Sequence, residues 1–166
     1  MFRSLADFAH SWAYESESTL KIFRTIPEST QNQAIVAGGR TLASLAWHIT
    51  TSIGEIFRTA GVPIEALDEH APQPATMAEI ISVYEESAAL VVPAVQSAWS
   101  DAQLGDELPM YGEQWKKGFI LSALNIHQTH HRGQMTVLMR QAGLQVPGIY
   151  GPAEHEWAAM GLPAPA

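Results

Sequence analysis

Seven histidines stand among the 166 residues, and three of them fall in the run His127-Gln128-Thr129-His130-His131. On a helix, His127 and His131 project from one face, about 40° apart around the axis. Two imidazoles so placed can share one metal ion through their ring nitrogens. A credible centre needs a third neutral nitrogen, and His48, on the polar edge of another helical stripe, is the best placed. Three histidines leave coordination positions open to water or substrate, the pattern of a working ion rather than a structural one. Imidazole ligands suit zinc, nickel, copper or iron, and the residue types do not choose among them. His130 points about 60° off the ligand face, so its loss should matter less.

Several other chemistries are excluded. The helical zinc-protease motif needs Glu directly after its first His as general base, and Gln128 stands there. Ferritin-like di-iron bundles need Glu-x-x-His, and no glutamate of this chain has a histidine three residues later. There is no Gly-rich phosphate loop and no Gly-x-Ser-x-Gly elbow. Around the centre, Ser52 and Glu55 share the polar edge of His48, and Gln134 shares the face of His127 and His131. These three are the expected pocket residues, with Gln134 able to orient a ligand or a histidine ring. Arg132 lies about 140° around from His127 and is expected in a salt bridge or an interface. Gly133, inside a helix, suggests close approach of another backbone. His10, His70 and His155 have no partners at useful spacing and read as surface.

Four helical segments must position these groups. The first spans about Phe2 to Ile26, with apolar residues recurring every three or four positions until Pro27 stops it. The second begins at the N-cap Thr41 and ends before Gly61, its stripe running from Leu42 to Phe57. A fifteen-residue linker, Gly61 to Ala75, is longer than an antiparallel hairpin needs and suits a return along the bundle with parallel flanking helices. The third segment opens on the capping box Thr76-Met77-Ala78-Glu79, and Pro93 should kink it or end it early. Residues 100–116 read as irregular. The fourth segment spans about Lys117 to Ala142, with Gly143 as its stop and Phe119, Ile120, Ala123, Leu124, Met135 and Leu138 as its apolar positions. The tail from 144 to 166 reads as a loop over the bundle. The expectation is a single all-α domain over 1–166, a four-helix bundle without useful strands.

Composition narrows the partners. Charged residues make up 16% of the chain, against about 25% in an average soluble domain, so part of the surface is expected to be a self-association face. A net charge of −8 and the lack of any basic cluster beyond Lys116-Lys117 disfavour nucleic acid. With no cysteine, disulfides, thiolate zinc sites and cysteine nucleophiles are excluded. The longest apolar run, Ala88 to Val95, is too short to span a bilayer. The first residues show no signal-peptide pattern, and a cytoplasmic location is expected.

Three pieces together carry a family resemblance: Leu45-Ala46-Trp47-His48-Ile49, the run His127 to Gln134, and Val146-Pro147-Gly148-Ile149-Tyr150-Gly151-Pro152. With the helix order, the chain resembles the DinB/YfiT-like family over nearly its whole length. That resemblance implies a bundle of up-down-down-up order, a homodimer, and a divalent metal, zinc or nickel foremost, held by His48, His127 and His131. Some members of the family are thiol-dependent S-transferases or isomerases, which makes a low-molecular-weight thiol a second expected cofactor. The resemblance implies a thiol transferase acting on a small electrophile, and the residues leave open a metal-dependent hydrolase and a non-catalytic binder of metal or small molecules.

Overall fold

A computed structural model describes residues 1–65, 68 and 70–164. The linker and tail readings also cover Ala66, Leu67, Glu69, Pro165 and Ala166, which lie outside the described residues. The chain is mostly helical, with four long helices: α1 (Leu5–Phe23), α2 (Leu42–Thr59), α3 (Met77–Ala98) and α4 (Lys117–Gln141). Local chemistry sets their ends. Ser4 caps α1 by accepting from the Asp7 N–H, which starts that helix three residues later than its apolar pattern suggests. Thr41 and Ser44 cap α2 reciprocally, and Thr76 and Glu79 do the same for α3. Gly61 and Gly143, both at positive φ, follow the ends of α2 and α4 as expected.

Each helix buries one stripe, and α2 buries more than a stripe. Ile49, Ile53 and Phe57 are fully enclosed, and Leu42, Leu45 and Ala46 join them. Helix α2 packs chiefly on α3 and α4, and α1 likewise packs chiefly on α3 and α4. Trp47 donates its indole N–H to the Ala71 carbonyl at 3.0 Å, so the linker that leaves the end of α2 comes back beside the first half of that helix. Val62 and Ile64 of the linker are buried on the way.

Three local expectations need correction. Residues 100–116 are not merely irregular: β1 (Glu107–Met110) and β2 (Glu113–Lys116) form a two-stranded antiparallel hairpin. Tyr111 and Gly112, both at positive φ, make its two-residue turn, and Met110 buries the hairpin against the core. The domain is therefore mostly rather than wholly helical. Of the two outcomes expected at Pro93, the early end does not occur: α3 continues to Ala98. Both Pro93 and Ala89, whose carbonyl loses its helical partner, are solvent-exposed, so the freed group lies on the open side of the helix. Finally, Phe119 is exposed, and the buried face of α4 turns instead through Ile120, Leu121, Leu124 and Met135.

That face of α4 is polar at mid-length. Gln128, fully buried, accepts hydrogen bonds from the hydroxyls of Thr19 (2.9 Å) and Tyr84 (2.7 Å). Arg132, also buried, pairs with the Glu15 carboxylate and donates to the Glu15 carbonyl and the Thr19 hydroxyl. Tyr150 of the tail donates to the same carboxylate, and Tyr14 of α1 donates to the Ile149 carbonyl. The tail is thus tied to α1 and α4 and carries two short 3-10 turns, Glu154–Glu156 and Ala158–Met160. Among the described residues, no helix is long and apolar enough to cross a membrane.

Candidate metal centre

The α2–α4 contact sets the centre. Helix α2 turns His48 toward α4, and α4 presents His127 and His131 one turn apart. The Nε2 atoms meet: His48 to His131 at 3.1 Å, and His131 to His127 at 3.2 Å. One ligand nitrogen from each of the three lies within 4.8 Å of the others. The rings meet edge to face, with centroids 4.5–5.0 Å apart, so they radiate from a common point. A tetrahedral ion bonded to imidazole nitrogens at ~2.05 Å separates those nitrogens by ~3.3 Å. The His48–His131 and His131–His127 spacings come within a few tenths of an ångström of that, and three imidazole nitrogens are a donor set that suits a divalent ion. The residues fit the ion that the resemblance implies.

The surroundings keep these histidines neutral, which is the form that binds metal. Burial lowers the His48 pKa to about 4, with the His131 and Arg40 charges acting in the same direction. Burial likewise lowers His127 to about 4, again with help from its histidine neighbours and Arg40. His131 is lowered by burial too, against its hydrogen bond to Gln134, which works the other way. Gln134 Oε1 accepts the His131 Nδ1 proton at 2.8 Å, which leaves the Nε2 lone pair aimed into the cluster. Gln134 Nε2 lies 3.0 Å from His130 Nε2, and His130 itself is exposed. The His127 Nδ1 atom is buried without a hydrogen-bond partner. Holding that ring in place costs roughly 1–3 kcal/mol in an unmade hydrogen bond.

The other expected site residues divide. Gln134 is at the centre, orienting a ring. Ser52, one turn beyond His48, is buried, and its hydroxyl donates back to the Ile49 carbonyl at 2.8 Å. Glu55, two turns beyond His48, accepts from the Tyr111 hydroxyl at 2.6 Å, which ties the hairpin tip to α2. Arg132 faces away from the centre into its ion pair with Glu15, as its angle on the helix implies. At Gly133 a side chain would meet nothing within 4 Å, so the expected close approach is not made by any described residue of this chain. The close approach is at Gly118 instead, where a Cβ would collide with the Phe2 carbonyl. His10, His70 and His155 are all exposed. Sequence reasoning missed Arg40, whose charge acts on all three histidines. Its place beside the Thr41 cap of the His48 helix was the available signal.

Comparison with known proteins agrees with this arrangement of the whole chain. The protein described as uncharacterized protein YrdA from Bacillus subtilis (strain 168) is 41% identical over 165 residues, covering 99% of each chain. A crystal structure of a DinB-like protein from Bacillus cereus ATCC 10987 is 39% identical, with a TM-score of 0.84. It matches 90% of this chain and 100% of its own. The family model described as DinB family spans residues 1–165, taking in all three histidines and the tail that Arg132 and Glu15 hold, and the chain belongs to that family.

Proposed function

We propose that the chain is a divalent-metal-dependent enzyme of the thiol S-transferase type, acting on a small electrophile. The observation that carries this reading is the meeting of three Nε2 atoms from His48, His127 and His131. An ion held there supplies Lewis acidity at its open positions, enough to ionise a thiol or a water near neutral pH. Neutral imidazoles add no negative charge to weaken that effect. Gln134 fixes the His131 tautomer, and Tyr111 holds Glu55 along the same helix edge. Because the chain has no cysteine, the nucleophilic sulfur must arrive on a small cellular thiol.

The test is to titrate the cobalt- or nickel-loaded protein with glutathione, bacillithiol and mycothiol. Sulfur ligation by one of them should perturb the absorption spectrum. Silence with every thiol, alongside intact metal binding, would leave a metal-dependent hydrolase or a non-catalytic binder. The engagement of Ser52 with Ile49 and of Glu55 with Tyr111 favours the binder as the second reading, since neither group is a free base.

Two architectural readings accompany this one. We infer an up-down-down-up bundle order, supported by the linker's return to Trp47 and by the Met77 N–H donating to Glu28, close to where α2 begins. We also infer a homodimer. Its support is the low charge content and an apolar stripe on the outer face of α4, where Phe119, Ile126 and Val137 stand exposed. Gly133 lies in that stripe, open to a second helix.

A further inference from the structure

The three-histidine centre has a neighbour that the metal reading does not use. The loop between α1 and α2 closes through an antiparallel bridge from Ala34 to Thr41 and turns at Gly38, φ 76°, with the Gly39 N–H donating to the Val36 carbonyl. This holds Ile35, Val36 and Arg40 along one side of a cleft of about 350 Å³ that Leu45, Gln134 and Leu138 complete. Gln134 also accepts the His131 Nδ1 proton, so cleft and centre are contiguous.

The chemistry of the lining is specific. Arg40 is exposed, and its guanidinium makes no hydrogen bond or ion pair among the described residues. Among the described residues, no acidic side chain lines the cleft to neutralise it. The adjacent N-terminus of α2 offers no further donors, because its first N–H groups are taken: Leu42 by the Gln33 carbonyl, Ala43 by the Gln31 carbonyl, Ser44 by the Thr41 hydroxyl. A phosphate, which needs several converging donors, is therefore poorly served. A carboxylate needs one planar fork, and a single guanidinium supplies it. The remaining surface is apolar, and Ile35 and Val36 stand 65% and 64% exposed. A bound hydrocarbon body would cover them.

We propose that this cleft binds a small carboxylate with a short branched or linear apolar body, its carboxylate on Arg40 and its body against Ile35, Val36 and Leu138, beside the three-histidine centre. This narrows the small electrophile of the metal site to one that carries a carboxylate and an apolar body, the probe below being an unreactive mimic, and rests on that reading. The probe is 4-methylpentanoate, titrated into the cobalt-loaded protein and followed by calorimetry and by the cobalt absorption bands. The comparators are 4-methylpentan-1-ol and inorganic phosphate. The carboxylate should bind at millimolar concentration or below, and each comparator at least ~10-fold more weakly. Arg40→Gln should weaken the carboxylate by at least ~10-fold at unchanged cobalt content, and Arg40→Lys should restore part of the loss. Equal affinity in wild type and Arg40→Gln, no binding of the carboxylate, or phosphate binding as tightly would each overturn the inference. A wild-type chain that takes up no cobalt instead fails the metal reading. Calorimetry on that metal-free protein, wild type against Arg40→Gln, then decides the cleft by the same criterion.

Discussion

A histidine nitrogen serves a metal only while it carries no proton, and the residues around His48 and His127 spend folding free energy to keep it so. Both rings have pKa values near 4 in the folded chain, against 6.5 when exposed. The unfolded chain therefore takes up protons first as the pH falls. The stability these rings contribute is complete above pH 6.5 and is lost as the pH drops from 6.5 through 4. Urea unfolding of the metal-free protein should show a midpoint that falls across that window. The fall should be shallower in His127→Ala, and an unchanged slope would show that burial of this ring is not the cause. Gln134→Leu keeps the size of the side chain but removes the acceptor for His131 Nδ1. It should weaken metal binding about 10- to 100-fold, as loss of a ligand-orienting hydrogen bond generally does, measured by competition with a chromophoric chelator.

At the scale of elements, α4 is held in register by an ion pair behind the ligand face. Arg132 and Glu15 are both largely buried, with side-chain exposures of 4% and 12%, and Tyr150 and Thr19 complete the arrangement. Glu15→Ala leaves a buried guanidinium unpaired and should cost about 3–5 kcal/mol by chemical denaturation. Tyr150→Phe, which removes the hydroxyl that donates to Glu15 and accepts from Arg132, should cost about 1–2 kcal/mol. Pro93→Ala should stabilise α3 by about 1–3 kcal/mol, because an exposed interior position gains a helical hydrogen bond without meeting anything new. These elements also show what the sequence could tell. The ends of α2 and α3 were legible because caps are local: Thr41, and Thr76 with Glu79, declare themselves within four residues. The hairpin was not, because its strands are four residues long, one carries Pro109, and its turn places Tyr111 rather than the usual Asn or Asp at positive φ. The clustering of His48, His127 and His131 was legible from periodicity on α4 and the polar edge of α2. The angle of Arg132 excluded it from the centre, but its partner lies 117 residues away and no local pattern points there. Gly133 marked an opening in α4 that no described residue of this chain fills, and a single sequence does not say what does.

At the scale of the molecule, one surface and one centre remain to be filled. The exposed stripe of Phe119, Ile126 and Val137 should bring two chains together, and light scattering should give twice the 18.1 kDa chain mass. Val137→Glu, which places a charge in that stripe, should return the particle to monomer mass at unchanged helix content. The centre is the main claim, and metal analysis tests it most directly. Protein purified without an affinity tag and equilibrated with zinc or nickel should retain about one divalent ion per chain after gel filtration. His48→Ala, His127→Ala and His131→Ala should each lose most of it, while His130→Ala keeps it. Full metal occupancy in His131→Ala, whose Nε2 stands between the other two, would contradict the account.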